Sequence, residues 1–151
     1  MDDNAFRFAF ITDPQIGMNS PQGLRGPGSD KERLDSAIAY VNENDIDFAV
    51  FGGDQIHDQD NESTDEQLDV LEASLSELTV PYYGVSGNHD HGAPQETWKY
   101  LERGMPRRFA FAHKNTFFVG LDAQCLRGEF GEDHQRAENA YLEMEIAQAP
   151  A

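Results

Sequence analysis

An amide, two imidazoles and a carboxylate stand together between two glycines in SGNHDHG, residues 86–92. Asn88 offers an amide oxygen, His89 and His91 offer ring nitrogens, and Asp90 offers a carboxylate. Such a set can ligate a metal ion, move a proton, or simply be solvated. The choice depends on whether other segments bring matching groups to the same place. Two segments end alike: FAFIT leads into Asp13 and FAVFGG into Asp54, as YYGVSG leads into Asn88, His89 and Asp90. Two carboxylates, an amide oxygen and an imidazole at one rim repel one another unless a cation neutralises them. A pair of divalent metal ions about 3.5–4 Å apart does so, clamps phosphoryl oxygens and lowers the pKa of bound water.

The elements that must position these residues are legible as alternating patterns. Apolar runs at 6–11, 46–51, 80–85, 107–112 and 116–121 predict strands, and the last two flank the polar turn HKN, which predicts an antiparallel hairpin. Ser29 with Glu32, and Ser63 with Glu66, form capping-box patterns that open two helices. Leu34, Ile38 and Val41 line one of them, and Leu68, Leu71, Leu75 and Leu78 the other. A third helix is expected from Pro94 to Arg103 and a fourth over about 134–148, carrying Ala137, Tyr141, Leu142 and Ile146. Segment 17–28 reads as a Gly/Pro-rich loop and 57–66 as a solvated one. The alternation defines an α/β domain. Ligands of open α/β sheets bind outside the carboxyl ends of the strands, so three parallel strands would bring Asp13, Asp54 and Asn88 to one rim. Gly52, Gly53 and Gly87 allow the sharp turns this needs. Asp122, at the end of TFFVGL, is a candidate fourth polar tip.

Composition narrows the function. The chain has 151 residues, about one domain, with 28 Asp and Glu against 11 Lys and Arg and a net charge of −17. That field repels nucleic acid and anionic membranes, so neither is an expected partner. A phosphorylated small molecule or phosphoprotein could approach where bound cations reverse the local sign. The single Cys125 cannot form an intramolecular disulfide and reads as a buried thiol. The first residues lack a basic, then apolar, leader pattern, and no stretch is long and apolar enough to cross a membrane; a cytoplasmic location is expected.

With these residues in view, the sequence resembles the calcineurin-like metallophosphoesterase superfamily, which carries Asp-x-His, Gly-Asp and Gly-Asn-His-(Asp/Glu) motifs in this order. The resemblance spans nearly the whole chain and implies part of a four-layer αββα sandwich of mixed sheets flanked by helices. It implies that Asp13 and Gln15 bind a first metal, that Asp54 bridges two metals and that Asn88 binds the second. It further implies that His89 contacts phosphate and protonates the leaving oxygen while Asp90 orients it, and that a metal-bound hydroxide is the nucleophile. Gln15 stands where the family has His, so a harder, weaker donor favours Mn²⁺ or Mg²⁺ over Zn²⁺ at that site, with two divalent ions in all, Mn²⁺ before Fe, Mg²⁺ or Zn²⁺. Asp-Pro-Gln is similar to the branch of calcineurin-like phosphoesterase domain-containing protein phosphatases and points to phosphomonoesters. The family's downstream His motifs have no counterpart here. The chain therefore reads as one domain over residues 1–151, C-terminally incomplete. A phosphodiesterase acting on cyclic nucleotides and a non-catalytic binding module remain the alternatives.

Other residues carry weaker expectations. His57, three past Asp54, is either a support for the site or a structural imidazole, and His91 either lines the pocket or is solvated. His113 and His134 read as surface residues, Arg107 and Arg108 as charge balance or phosphate contacts, and Trp98, Tyr100 and Leu101 as core.

Overall fold

The segment FAVF has no polar position, as a strand covered on both faces requires. It forms the centre of a parallel sheet with strands β1 (Phe8–Ile11), β2 (Phe48–Phe51) and β3 (Tyr82–Gly84) in that order. In this computed structural model, which describes residues 4–19, 24–58, 63–91 and 98–150, Phe8 pairs with Phe48 and Val50 with Tyr83. Ala49 and Phe51 point to one face, where helices α1 (Asp30–Glu43) and α2 (Thr64–Leu75) cover them through Leu34, Ile38, Leu68, Leu71 and Leu75. Phe48 points to the other face and meets the rings of Phe111 and Phe118 at 5.1 and 5.2 Å. Those rings belong to an antiparallel hairpin of β4 (Phe109–His113) and β5 (Thr116–Gly120). Aromatic pairs in such edge-to-face geometry contribute about 0.5–1.5 kcal/mol each beyond the area they bury.

The remaining helices are short or peripheral: α3 (Lys99–Glu102), α4 (Ala123–Leu126) and α5 (Glu132–Gln148). Arg103 fastens the end of α3 to α2 through two bonds to Glu72, at 2.8 and 2.7 Å. Mixed sheets and flanking helices agree with the expected α/β class. The third expected helix is described from Lys99 only; residues 94–97, with parts of loops 17–28 and 57–66, lie outside the described residues.

Four local expectations are corrected. Ser29 does cap α1, accepting the Glu32 N–H at 3.2 Å, but the Glu32 carboxylate accepts from Gly28 N–H. Ser63 makes no cap bond; its hydroxyl instead accepts from the Gln67 side chain at 2.7 Å. On α5 the apolar stripe is only partly covered: Tyr141 and Leu142 are half-buried, Ala137 is exposed, Ile146 is 60% exposed, and the fully buried residue is Glu138. Two guanidinium groups draw Glu138 inward, and this outweighs the short apolar stripe. His113 belongs to β4, opposite Thr116, which shrinks the hairpin turn to Lys114 and Asn115. It is not a free surface residue, since its ring packs on Phe6 and Phe48 beside Asp47.

Replacing Ser29 by Ala removes the α1 cap and is expected to lower stability by about 1 kcal/mol, read as a shifted urea midpoint at unchanged m-value.

Candidate active site

The three strand tips are tied to one another by backbone. Beyond β1, Asp13 N–H donates to the Gly53 carbonyl at 3.1 Å and Gln15 N–H to the Asp54 carbonyl at 2.9 Å. The parallel pairing then resumes as a bridge between Ile16 and Ile56. Between these points both chains kink, and Asp13, Gln15 and Asp54 sit at φ of 53°, 39° and 50°. Left-handed backbone is tolerated by Asp and less so by Gln; each such residue stores on the order of 1–3 kcal/mol and persists only where its surroundings fix it.

Beyond β2 and β3 the approach is closer still. Gly53 has φ of 104°, and a Cβ there would stand 2.9 Å from the Gly87 Cα. A Cβ on Gly87 would stand 2.1 Å from Asp54 Oδ1. Bare backbone at both positions lets Asp54 Oδ1 accept the His89 N–H at 2.9 Å. Neighbouring side chains brace this contact. Buried Gln55 donates to the Val85 carbonyl at 2.8 Å and accepts from the Tyr100 hydroxyl, whose burial raises its pKa and keeps it a neutral donor. From α2, Gln67 Oε1 accepts the N–H groups of His57 and Asp58 at 2.9 and 3.2 Å.

Asp13, Gln15, Asp54 and Asn88 therefore lie at the tips of three adjacent parallel strands. Asp13 and Asn88 are exposed, while Gln15, Asp54 and His89 are half-buried. His89 Nδ1 donates to the His57 carbonyl, which fixes the tautomer and leaves Nε2 to exchange a proton. The His57 ring stacks on His89 with centroids 5.2 Å apart. The expectation that Asp90 orients His89 is corrected. Asp90 Oδ1 accepts from Gln55 N–H at 2.8 Å and Ile56 N–H at 3.0 Å, and its Oδ2 from Gly87 N–H at 2.8 Å. It pins the backbone of two loops together. Burial outweighs those three bonds and pushes its pKa up to about 7.

Asp122 is not a fourth tip of the rim. It is fully buried, caps α4 by accepting from Gln124 and Cys125 N–H, and accepts from Arg107 Nε at 2.8 Å. Glu138 accepts from Asp122 N–H at 2.9 Å and meets both Arg107 and Arg108. The two arginines thus neutralise buried acids. His91 is buried too: its Nε2 lies 2.9 Å from Ser86 Oγ and 3.4 Å from Asp122 Oδ2. Burial lowers its pKa despite Asp122. Cys125 is the expected buried thiol, its pKa pushed up to about 11 by burial. Nothing in the local pattern of α5 signalled Glu138; the adjacent arginines in so acidic a chain were the available cue.

The donor set is two carboxylates and two amides. These hard oxygens fit a hard divalent cation, and no nitrogen or sulfur ligand among them selects a softer one. Among the described residues no group of three or more His, Cys, Asp or Glu is placed to hold a metal ion. A cleft of about 220 Å³ opens beside Asp13 and Gln15, with Asn19 and Arg33 in its wall.

Parallel strands here present carboxylate and amide groups at their carboxyl ends, beside an imidazole whose Nδ1 is engaged by a carbonyl. The chain belongs to the calcineurin-like phosphoesterase family, whose family model matches residues 6–143. Among solved structures, it is similar to a dimetal phosphatase from Danio rerio, with 22% identity and a TM-score of 0.63. The likeness covers 94% of this chain and 52% of that one, so the chain spans about half the length of its structural relative. No curated protein matches the chain significantly. Among the described residues, no helix is long and apolar enough to cross a membrane.

Two outcomes are expected. Gly87→Ala forces a methyl against Asp54 and should destabilise the fold by roughly 1–3 kcal/mol, read as a lowered urea midpoint. A histidine held below its ordinary pKa of 6.5 contributes stability above pH 6.5 that is lost as pH falls through the lowered value. Asp90 acts oppositely, its contribution being lost as pH rises through about 7. The stability difference between wild type and His91→Gln should therefore shrink or reverse on acidification from about pH 8 to about pH 5, read by urea titration at each pH.

Proposed function

We propose that the rim is the strand-tip part of a dinuclear metal site that hydrolyses phosphate esters, with phosphomonoesters as the preferred substrates. The observation that carries this reading is that Asp13, Gln15, Asp54 and Asn88 stand at the tips of three adjacent parallel strands, next in the chain to an imidazole whose Nδ1 is engaged by a carbonyl. Family membership and the likeness to a dimetal phosphatase support it.

Asp13 and Gln15 would hold one divalent ion, Asn88 the other, and Asp54 both, Mn²⁺ or Mg²⁺ suiting these oxygens best. Such ions supply positive charge for phosphoryl oxygens and acidify water. The chain's own part is positional. The His89 backbone N–H holds the Asp54 carboxylate, and the His57 carbonyl holds the His89 ring, so the group that would take both ions and the acid–base imidazole are each anchored. With Nδ1 bound to the His57 carbonyl, His89 can deliver a proton from Nε2 to the departing ester oxygen. The net charge of −17 would keep anionic substrates away unless cations occupy the rim, so metal and substrate should bind in that order.

Calorimetry with Mn²⁺ should show binding that Asp54→Asn abolishes. Hydrolysis of p-nitrophenyl phosphate should require Mn²⁺ and exceed that of bis-p-nitrophenyl phosphate. His89→Ala should lower the rate about 10²–10⁴-fold while leaving Mn²⁺ affinity near its original value. Faster diester hydrolysis would make the chain a phosphodiesterase. Folded protein that binds neither Mn²⁺ nor substrate would reduce it to a binding module.

A further inference from the structure

The loop from Ser86 to His91 is closed at its base. His91 Nε2 reaches Ser86 Oγ at 2.9 Å across five residues, and both groups approach the same oxygen of Asp122, at 3.4 and 3.5 Å. Ser86 is 3% exposed and the Asp122 side chain is fully buried. Its oxygen is fixed from behind by Arg107, and its backbone N–H by Glu138. The Ser86 N–H also donates to the Arg107 carbonyl at 3.2 Å. Among the described residues His91 Nδ1 has no hydrogen-bond partner, so the ring proton belongs on Nε2, where two acceptors face it.

A Ser, a His and an Asp in contact invite comparison with a nucleophilic triad, and the geometry excludes it. In a triad the Ser and the Asp engage opposite nitrogens of the imidazole. Here both meet Nε2, and the hydroxyl is buried away from any substrate. What the arrangement does is close a ring whose far side carries Asn88 and His89.

We infer that Ser86, His91 and Asp122 form a buried clasp whose role is to position Asn88 and His89, and through Arg107 and Glu138 to couple helix α5 to the rim. The inference rests on the proposed metal-site reading for its function and on the hydrogen bonds alone for its geometry. The three are positioning residues, since none faces the strand tips. A loop held only by its own turn preferences would exchange among conformers. A closed base leaves Asn88 and His89 one arrangement, with the His89 N–H on Asp54 Oδ1. Partners that orient metal-binding groups in this way typically change affinity or activity about 10–100-fold when removed.

The test is amide hydrogen exchange on the metal-free 151-residue chain, followed by Mn²⁺ calorimetry. His91→Phe keeps the stacking on Phe130 but lacks the N–H, His91→Gln keeps a donor at the same reach, and Ser86→Ala removes the acceptor. In His91→Phe and Ser86→Ala, exchange at the Gly87 and His89 amides should rise at least about tenfold while β2 amides such as Ala49 stay unchanged. His91→Gln should restore protection, and Mn²⁺ affinity should follow the same order. Should His91→Phe fail to fold, Ser86→Ala alone decides the matter. Equal acceleration in β2 and the loop, or none in either, overturns the clasp. Wild-type protein that binds no Mn²⁺ overturns the metal-site reading instead, and the exchange data still decide the clasp.

Discussion

Two bare backbones touch at Gly53 and Gly87, and the rest of the rim depends on that contact. A single methyl at Gly87 would occupy space now held by Asp54 Oδ1. Because nothing stands between the β2 and β3 tips, Asp54 can receive the His89 N–H, and Asp90 can bind backbone from both loops. The strained φ values of Asp13, Gln15 and Asp54 are held by this cross-bonding rather than by side-chain packing. Polar tips are thus rigid without being buried, which a site open to a hydrated ligand requires.

Charge is the second constraint. A chain this acidic still buries Asp30, Asp90, Asp122 and Glu138. Each is satisfied differently. Asp30 accepts backbone N–H groups of Gly17 and Asn19 and pairs with Arg33, while Asp90 accepts three backbone N–H groups. Asp122 and Glu138 share two arginines. Removing one partner of such a group leaves an uncompensated buried charge, which costs far more than an exposed ion pair contributes. Arg33, Arg107 and Arg108 stand where acids are hidden, while Arg103 and Arg136 pair with accessible carboxylates on helix surfaces.

The strands, their parallel order and the convergence of Asp13, Asp54 and Asn88 were legible because each rests on local signals: apolar runs, glycines and polar residues at run ends. Roles that depend on which groups meet across the fold were not. Asp90 sits beside His89 in sequence, and proximity suggested a pair; the two loops it joins are 35 residues apart. Asp122 looked like another strand-end carboxylate, but an antiparallel hairpin carries it to the α4 terminus, where orphan N–H groups claim it. On α5, periodicity favoured Ala137 and Ile146, but the pull of Arg107 and Arg108 on Glu138 has no period to read. Ser63 resembled a cap, and the Gln67 side chain, itself recruited by the loop after Asp54, took its hydroxyl.

Strand β1 pairs on one side among the described residues, and its Phe8 and Phe10, on the same sheet face as Phe48, are 44% and 63% exposed. An aromatic strand edge of this kind attracts its own likeness in another molecule. The charge of −17 opposes that attraction by repulsion between whole molecules. The two forces differ in range: the repulsion reaches about 10 Å at 0.1 M salt and about 3 Å at 1 M, whereas the contact attraction barely weakens. Colloidal behaviour of this chain is thereby set by ionic strength, and the same acidic surface that excludes polyanions also keeps neighbouring edges from meeting.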